Sequence, residues 1–324
     1  MKMKNVLSAA LLVCAAGTAG ASASDGYPNK PVKLILPFPT GATFVVGQTL
    51  AEVLTKELGE VVVVENRSGA GGRIAMEHVA NAKADGYTLL LTSPTLTITP
   101  AIDSSLPFDP LKDLVPVARV AEVPNVFVVN PKKFGNLSFQ ELQAQIKSQP
   151  AEFTYGSGGA GSSNHLAFEK FRSLTSADIR HIPFRGASQA VTSAVGGMID
   201  MVINGLPNSV PLIKSKQLKA MFVLTPERQP LLPDVPSAVE VGLPDMVVTT
   251  WYGVLAPAGT DSAIIEKVSH AIQRGLANPD VKQRLANGGV DAVYEDSSTF
   301  AHYIKTDFEM WKNVVADAGI VVQN

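Results

Sequence analysis

The same order of elements occurs twice in this chain, and that repetition limits the fold more than any other feature. "VKLILPF" (32–38) is an apolar run bounded by prolines, the look of a buried parallel strand. After "PTGAT" comes "FVVGQTLAEVLTKELG", with Val46, Leu50, Val53, Leu54 and Leu58 on one helical face and Gly59 as a stop. "EVVVVE" reads as a second strand, "NRSGAGG" turns into a helix around residues 72–82, and "GYTLLLTS" reads as a third strand. The series then restarts. Strand "FTYGS", turn "GGAGSS" and helix "NHLAFEKFRSL" (Ala167, Phe171 and Leu174 on one side) lead to strand "DIRHIPF", turn and helix "RGASQAVTSAVGG", and strand "IDMVING". Two such units, joined near "VPNVFVVNP" (123–131), specify an α/β protein of two similar lobes, each a mostly parallel sheet flanked by helices.

The C-terminal third opens no new domain. It holds "LKAMFVLT", a proline-rich stretch "PERQPLLPDVPSAVEVGLP", the strand-like "WYGVLAP" and two helices. Ile264, Val268, Ala271, Ile272 and Leu276 stripe the first helix; Phe300, Ile304, Phe308, Trp311 and Val315 stripe the second. Both are expected to pack back on the first lobe, so that the chain crosses between lobes at least twice, as in a hinged clam.

Lys2 and Lys4, an apolar stretch from Val6 to Ala16 and "GTAGASA" read as a secretory leader over residues 1–23, cut after Ala23. Cys14 follows a leucine pair as a lipid-attachment cysteine would, but Val13 is bulkier than such sites want. The apolar run is too short to span a bilayer. Cys14 is the one cysteine, so the mature chain has no disulfide, thiol nucleophile or thiolate metal site. About 300 residues must therefore be held by ordinary cores, which favours two lobes. The chain has 27 Lys+Arg against 29 Asp+Glu; losing Lys2 and Lys4 leaves 25 against 29, a net charge of −4. A weakly acidic chain without basic clusters argues against nucleic acid and against a polybasic membrane contact.

Gly156, Gly158 and Gly161 in "YGSGGAGSSNHLAF" (155–168) match the G-x-G-x-x-G spacing of a dinucleotide turn. That reading also needs an acidic residue at the C-terminal end of the next strand. Asp178 has about the right separation but precedes its strand, whose far end carries Pro183, Phe184 and Arg185. A P-loop reading fails because no Gly-Lys-Ser/Thr follows. What survives is a small-residue turn entering a helix, whose unpaired N–H groups and positive dipole end suit an anion. Ser162, Ser163 and Asn164 can cap that helix. "PFPTGATF", "SPTLT", "PFRGAS" and "INGLPN" also follow strands with small polar residues, and in open α/β sheets the ligand crevice lies at those strand ends. "NRSGAGGRI" is read as a structural turn, with Arg67 and Arg73 as flanking surface charges.

Signs of catalysis are few. His78, His165, His181, His270 and His302 form no H-E-x-x-H pair, and no G-x-S-x-G elbow occurs. Ser163 with His165 is the one pairing that suggests a hydrolase. The chain is read as a binding protein, not an enzyme, and as needing neither cofactor nor metal.

"YPNKPVKLILPF", "VENRSGAGGRIA", "ADGYTLLLTSPT", "LPFDPLKDLVPVA", "YGSGGAGSSNHLA", "HIPFRGASQAV", "GGMIDMVI", "TPERQPLLPDVPSAVEVGLP" and "WYGVLAPAGT" run in order through nearly the whole mature chain. In these stretches it resembles the Bug-type solute-binding proteins of tripartite tricarboxylate transporters. The resemblance implies a type II-like, two-lobed periplasmic binding fold of the Venus-flytrap kind, with residues 24–124 and 225–324 as lobe 1 and 125–224 as lobe 2. It also implies export to the periplasm, a carboxylate ligand in the cleft, inner-membrane permease subunits as partners, and a monomer. The family's ligand loops match Pro39, Thr40, Gly41, Ala42, Thr43 and Phe44; Ser93 and Thr95; Ser157, Gly158, Gly159, Gly161, Ser162, Ser163, Asn164 and His165; Arg185, Gly186 and Ala187; and Asn204 and Pro207. A sensing role for the same clam is the alternative to transport.

Two departures bear on the ligand. Where the family's first loop reads P-G-G-x-x-D, this chain has Thr40 and Phe44; where an aspartate commonly ends the third strand of lobe 2, it has Asn204. A buried ammonium without a carboxylate costs several kcal/mol. The expected ligand is thus a non-amino organic acid. Phe44 either gives an aromatic face for a ring, as in a phthalate isomer, or points into the core.

Overall fold

The computed structural model describes residues 26–39, 41–184 and 186–320. The leader with its cut, Thr40 and Arg185 lie outside the described residues. The first unit folds as read: β1 (Val32–Leu36), α1 (Ala42–Leu58), β2 (Val62–Asn66), α2 (Arg73–Ala80) and β3 (Thr88–Thr92), with β1 hydrogen-bonded in parallel to both β2 and β3. The stretch after β3, read as a loop, forms α3 (Thr95–Ile102).

The connection between units is larger than expected. It is one 16-residue strand, β4 (Leu114–Val129), buried along nearly all its length because both faces are covered. After it come α4 (Pro131–Phe134) and α5 (Phe139–Ser148). The second unit is β5 (Phe153–Ser157), α6 (Ser163–Thr175), β6 (Ile179–Pro183), α7 (Ala187–Gly196) and β7 (Met201–Gly205), with β5 parallel to β6 and β7. Then follow α8 (Leu206–Lys214), β8 (Lys219–Val223), β9 (Thr249–Pro257), α9 (Ser262–Ala277), α10 (Pro279–Asn287), β10 (Asp291–Glu295) and α11 (Ser297–Asp317).

β4 belongs to both sheets. Its Leu114–Pro124 half pairs antiparallel with β9, which continues antiparallel to β3; its Asn125–Val129 half pairs antiparallel with β7 and β8. Pro124, with no N–H to donate, stands at the changeover. Each sheet is therefore parallel in its outer strands and antiparallel next to the junction. A helical connection returns a strand in parallel, whereas β4 and β9 run directly between the lobes.

Helices cover both faces of each sheet. Lobe 1 buries Leu34, Val46, Leu50, Ile264, Val268 and Ile272 on one face and Ile35, Met76, Leu90 and Phe300 on the other. Lobe 2 buries a phenylalanine cluster in which the Phe127 ring lies 5.0 Å from Phe171 and 5.3 Å from Phe222. Leu174, expected in that core, is 42% exposed near the C-terminal end of α6.

α11 departs most from its expected place. Its first half packs on lobe 1 through Phe300 and Ile304, and its second half on lobe 2 through Trp311, Val314 and Val315. Asp307, not Phe308, is the buried residue midway, because three donors surround one carboxylate oxygen. The Thr97 hydroxyl and the Trp251 and Trp311 indole N–H groups lie 2.6, 3.0 and 3.2 Å from Asp307 Oδ2. One side chain thus ties α3, β9 and α11 together. A buried donor left unpaired costs roughly 1–3 kcal/mol. Asp307→Ala is expected to lower the unfolding free energy in urea by about 3 kcal/mol or more, and Asp307→Asn by less, since it keeps an acceptor.

Candidate functional site

The carboxyl ends of β1, β5, β6 and β7 open on one cavity of about 540 Å³ at the lobe junction. α1 lines it with Ala42, Phe44 and Val45 after Pro39 and Gly41; α6 with Ser163 and Asn164; α7 with Ala187; α8 with Pro207 and Asn208 after Asn204 and Gly205. β4 and β9 form the floor through Val123, Asn125, Thr250 and Tyr252, and the turn after α10 adds Gly288 and Val290. Among the described residues, no charged side chain lines this wall.

Four helices begin at the cavity: α1 at Gly41, α6 at Ser162, α7 at Gly186 and α8 at Gly205. None has a side-chain cap. The caps lie elsewhere: Asn130, Ser138, Asp261, Asn278 and Asp296 cap α4, α5, α9, α10 and α11. An uncapped start leaves backbone N–H groups unpaired at an end carrying roughly half a positive charge. These helix starts make their part of the cavity electropositive, with no cationic residue among the described lining residues.

The glycine turn works differently from the sequence expectation. Its N–H groups are already used: Gly158 donates to Asn164 Oδ1 at 3.2 Å, Gly159 to Ser157 Oγ at 3.1 Å, and Gly161 to His165 Nδ1 at 3.1 Å. The Ser162 hydroxyl lies 2.7 Å from Gly159 O. The first intrahelical bond is Leu166 N–H to Ser162 O at 3.0 Å. The amides of Ser163, Asn164 and His165 precede it and meet no acceptor among the described residues. Asn164 Nδ2 is also buried without a partner. The turn spends the amides of Gly158, Gly159 and Gly161 on its own side chains and presents the first turn of α6.

Of the sequence-derived candidates, Pro39, Gly41, Ala42, Phe44, Ser163, Asn164, Ala187, Asn204 and Pro207 meet at the cavity. Phe44 is half-buried and shared, lining the wall while packing on the lobe 1 core. The other described candidates lie off the wall. Thr43 is buried and bonds the Tyr252 hydroxyl, whose own pKa burial pushes up to about 12. Ser93 and Thr95 begin α3 with their hydroxyls 3.4 Å apart. Ser157 is fully buried with Oγ 2.6 Å from His181 Nε2; Gly158, Gly159, Gly161 and Ser162 build the turn, and Gly186 precedes Ala187.

His165 is 5% exposed, stacked 4.1 Å from His181 and 4.0 Å from Glu169. Its ring nitrogens face Gly161 and Glu169, not Ser163, so the pair forms no nucleophile–base contact. Burial lowers both histidines, His181 to about 4, where nearby His165 adds to the effect.

Sequence reasoning missed Asn125, Thr250 and Tyr252. Asn125, a polar residue inside "VPNVFVV", was the available signal. Its Nδ2 donates to Val248 O at 2.9 Å, joining β4 to the start of β9.

A second cavity, of about 590 Å³, lies against Arg119, Glu122, Tyr303 and Asp307. There Arg119 is engaged by Glu122 and Glu295 at 2.5 and 2.9 Å, and the wall comes from strands, a loop and mid-helix residues of α11.

Residues 46–320 match the family model described as tripartite tricarboxylate transporter family receptor. The chain is 36% identical over 324 residues to Protein BugT of Bordetella pertussis, covering 98% of this chain and 99% of that one. MatC from Rhodopseudomonas palustris with bound malate is 30% identical with a TM-score of 0.76, over 89% of this chain and 100% of that chain. R. palustris Rpa4515 with adipate is 28% identical with a TM-score of 0.80, over 91% and 99%. The fold is the two-lobed one of periplasmic binding proteins.

Gly161 has φ +77°, and a Cβ there would sit 2.8 Å from Ile102 Cδ1. Left-handed backbone costs other residues roughly 1–2 kcal/mol. Gly161→Ala is expected to lower stability by about 1–3 kcal/mol in chemical denaturation.

Proposed function

This chain belongs to the tripartite tricarboxylate transporter receptor family, and we propose that it captures a small organic carboxylate lacking an amino group between its lobes. In this reading residues 1–23 direct export and are removed after Ala23. The mature monomer holds its ligand in the periplasm and delivers it to the family's membrane permease subunits. The moving bodies are residues 24–124 with 225–324, and residues 125–224.

One observation carries the ligand class: four uncapped helix starts converge on a wall with no charged side chain among its described residues. A carboxylate there meets unpaired N–H groups, the Ser163 hydroxyl and Asn164 Nδ2. Each helix end contributes roughly 0.3–2 kcal/mol to a bound anion. An ammonium group meets no carboxylate, which disfavours amino acids by the cost of an unpaired buried charge. The malate and adipate bound to the related chains support a carboxylate. Phe44 and Tyr252 add aromatic surface, which favours a ring-bearing acid such as a phthalate isomer.

Because the ligand bridges both lobes, it binds the closed clam better than the open one, and capture is closure. No catalytic role is assigned to Ser163, which serves as a donor.

A thermal-shift screen of aliphatic and aromatic mono- and dicarboxylates tests this. An acid at about a hundred times its Kd adds roughly 2.7 kcal/mol of stability, a shift of several degrees. Silence from every acid removes the reading, and a larger response to glutamate or aspartate than to their desamino analogues removes the argument from the neutral wall. Phe44→Ala is expected to weaken an aromatic acid at least tenfold and an aliphatic one less. Asn204→Asp, which sets a negative charge against the ligand, is expected to weaken any dicarboxylate by about tenfold or more. Calorimetric titration measures both.

A further inference from the structure

We propose that His165 and His181 are positioning residues for ligand capture, with His165 as the acceptor that fixes the turn in front of α6. The inference rests on the reading of the α6 start as the carboxylate site. Neither ring lines the cavity. Both instead hold the 157–162 turn from beneath: Gly161 N–H donates to His165 Nδ1 at 3.1 Å, and His181 Nε2 lies 2.6 Å from Ser157 Oγ, which accepts Gly159 N–H at 3.1 Å. The rings continue an aromatic stack. His165 lies 4.1 Å from His181, His181 4.8 Å from Tyr155, and Tyr155 3.9 Å from Phe168. The turn that presents Ser163 and Asn164 thus hangs from a packed column in the lobe 2 core.

The arrangement works only with His165 uncharged. Since Nδ1 accepts from Gly161, the ring proton sits on Nε2, toward Glu169 at 4.0 Å. A second proton would occupy Nδ1 and set two N–H groups against each other.

The surroundings give an imidazolium little support. On α6, Glu169 is held by Arg172 at 2.8 and 2.9 Å, and it accepts the Tyr155 hydroxyl from β5. Asp178, before β6, and Asp317, at the end of α11, line one cavity with Arg172 and Glu169. Arg180 alternates to the other face of β6 from His181. α3 brings apolar Ile102 toward Gly161, and α7 carries no titratable side chain. Protonating one ring also disfavours protonating the ring stacked on it.

Burial pulls both histidines below their usual value of 6.5. A lowered histidine pKa means the neutral, turn-holding form persists below pH 6.5 and is lost only as pH falls through the lowered value, which for His181 is about 4. Ligand affinity is expected to fall over that same window.

The test uses two readouts on the full mature chain. NMR on labelled protein without ligand follows the His165 and His181 ring signals and the Gly161 amide exchange rate from about pH 7.5 to about pH 3.5. Calorimetric titration with adipate and with phthalate follows affinity over the same range. His165→Asn, whose Oδ1 replaces Nδ1 as acceptor, is expected to keep Gly161 protected, keep the affinity and flatten its pH dependence. His165→Phe keeps the stack but removes the acceptor, so Gly161 should exchange at least tenfold faster and affinity drop about tenfold at every pH. Unchanged exchange and affinity in His165→Phe, or an unaltered pH profile in His165→Asn, overturns the proposal. If no acid of the thermal-shift screen binds the unsubstituted protein, the carboxylate reading fails, while Gly161 exchange still decides whether His165 fixes the turn.

Discussion

The double membership of β4 is the constraint on which the architecture depends. Its first half is hydrogen-bonded to β9 and its second half to β7 and β8, so one strand belongs to both sheets. Because β4 cannot turn within itself, the two sheets must meet end to end with the carboxyl ends of their parallel strands facing one another. The loops at those ends, unrelated in sequence position, then become the walls of one cavity. Asn125, one residue past the changeover, lies both in the ladder opposite Gly205 and on the cavity floor.

A second tie works alongside the strand. α11 runs from the core of lobe 1 to that of lobe 2, and Asp307 at its middle gathers donors from α3, β9 and α11 itself. The junction therefore consists of a two-stranded ribbon backed by a helix. That geometry suits small rotations of one lobe about a fixed seam more than free swinging.

The site uses the same economy of means. Side-chain caps satisfy the starts of α4, α5, α9, α10 and α11, whereas α2, α3 and the four cleft helices have none. Polarity comes from backbone dipoles that need no counter-ion, and apolar residues shape the rest of the wall. The glycine turn before α6 looks from its spacing like a phosphate loop. In the structure its own amides are spent on Asn164, Ser157 and His165, and the free amides belong to the helix that follows. Spacing marked the place correctly and the donors wrongly, because the partners of those amides, Ser157 and the buried His165, depend on packing. Phe44 shows the same limit: its identity was legible, but only the fold shows a ring shared between cavity wall and core.

The sequence by itself determined the units: two strand–helix series with apolar faces at the right periods, glycine stops, and small polar residues at the strand ends that face the cleft. Such features are local, set by contacts a few residues apart, so they survive in a one-dimensional reading. It did not reveal that the linking segment is a single 16-residue strand, that α11 belongs to both lobes, or that Thr250, Tyr252 and Val290 complete the cavity. Those facts arise from pairings between residues more than a hundred positions apart, such as Asn125 with Val248 and Thr97 with Asp307. Only the tertiary structure decided them, because ladder hydrogen bonds and buried donors choose their partners by position in space, and periodicity carries no record of that choice.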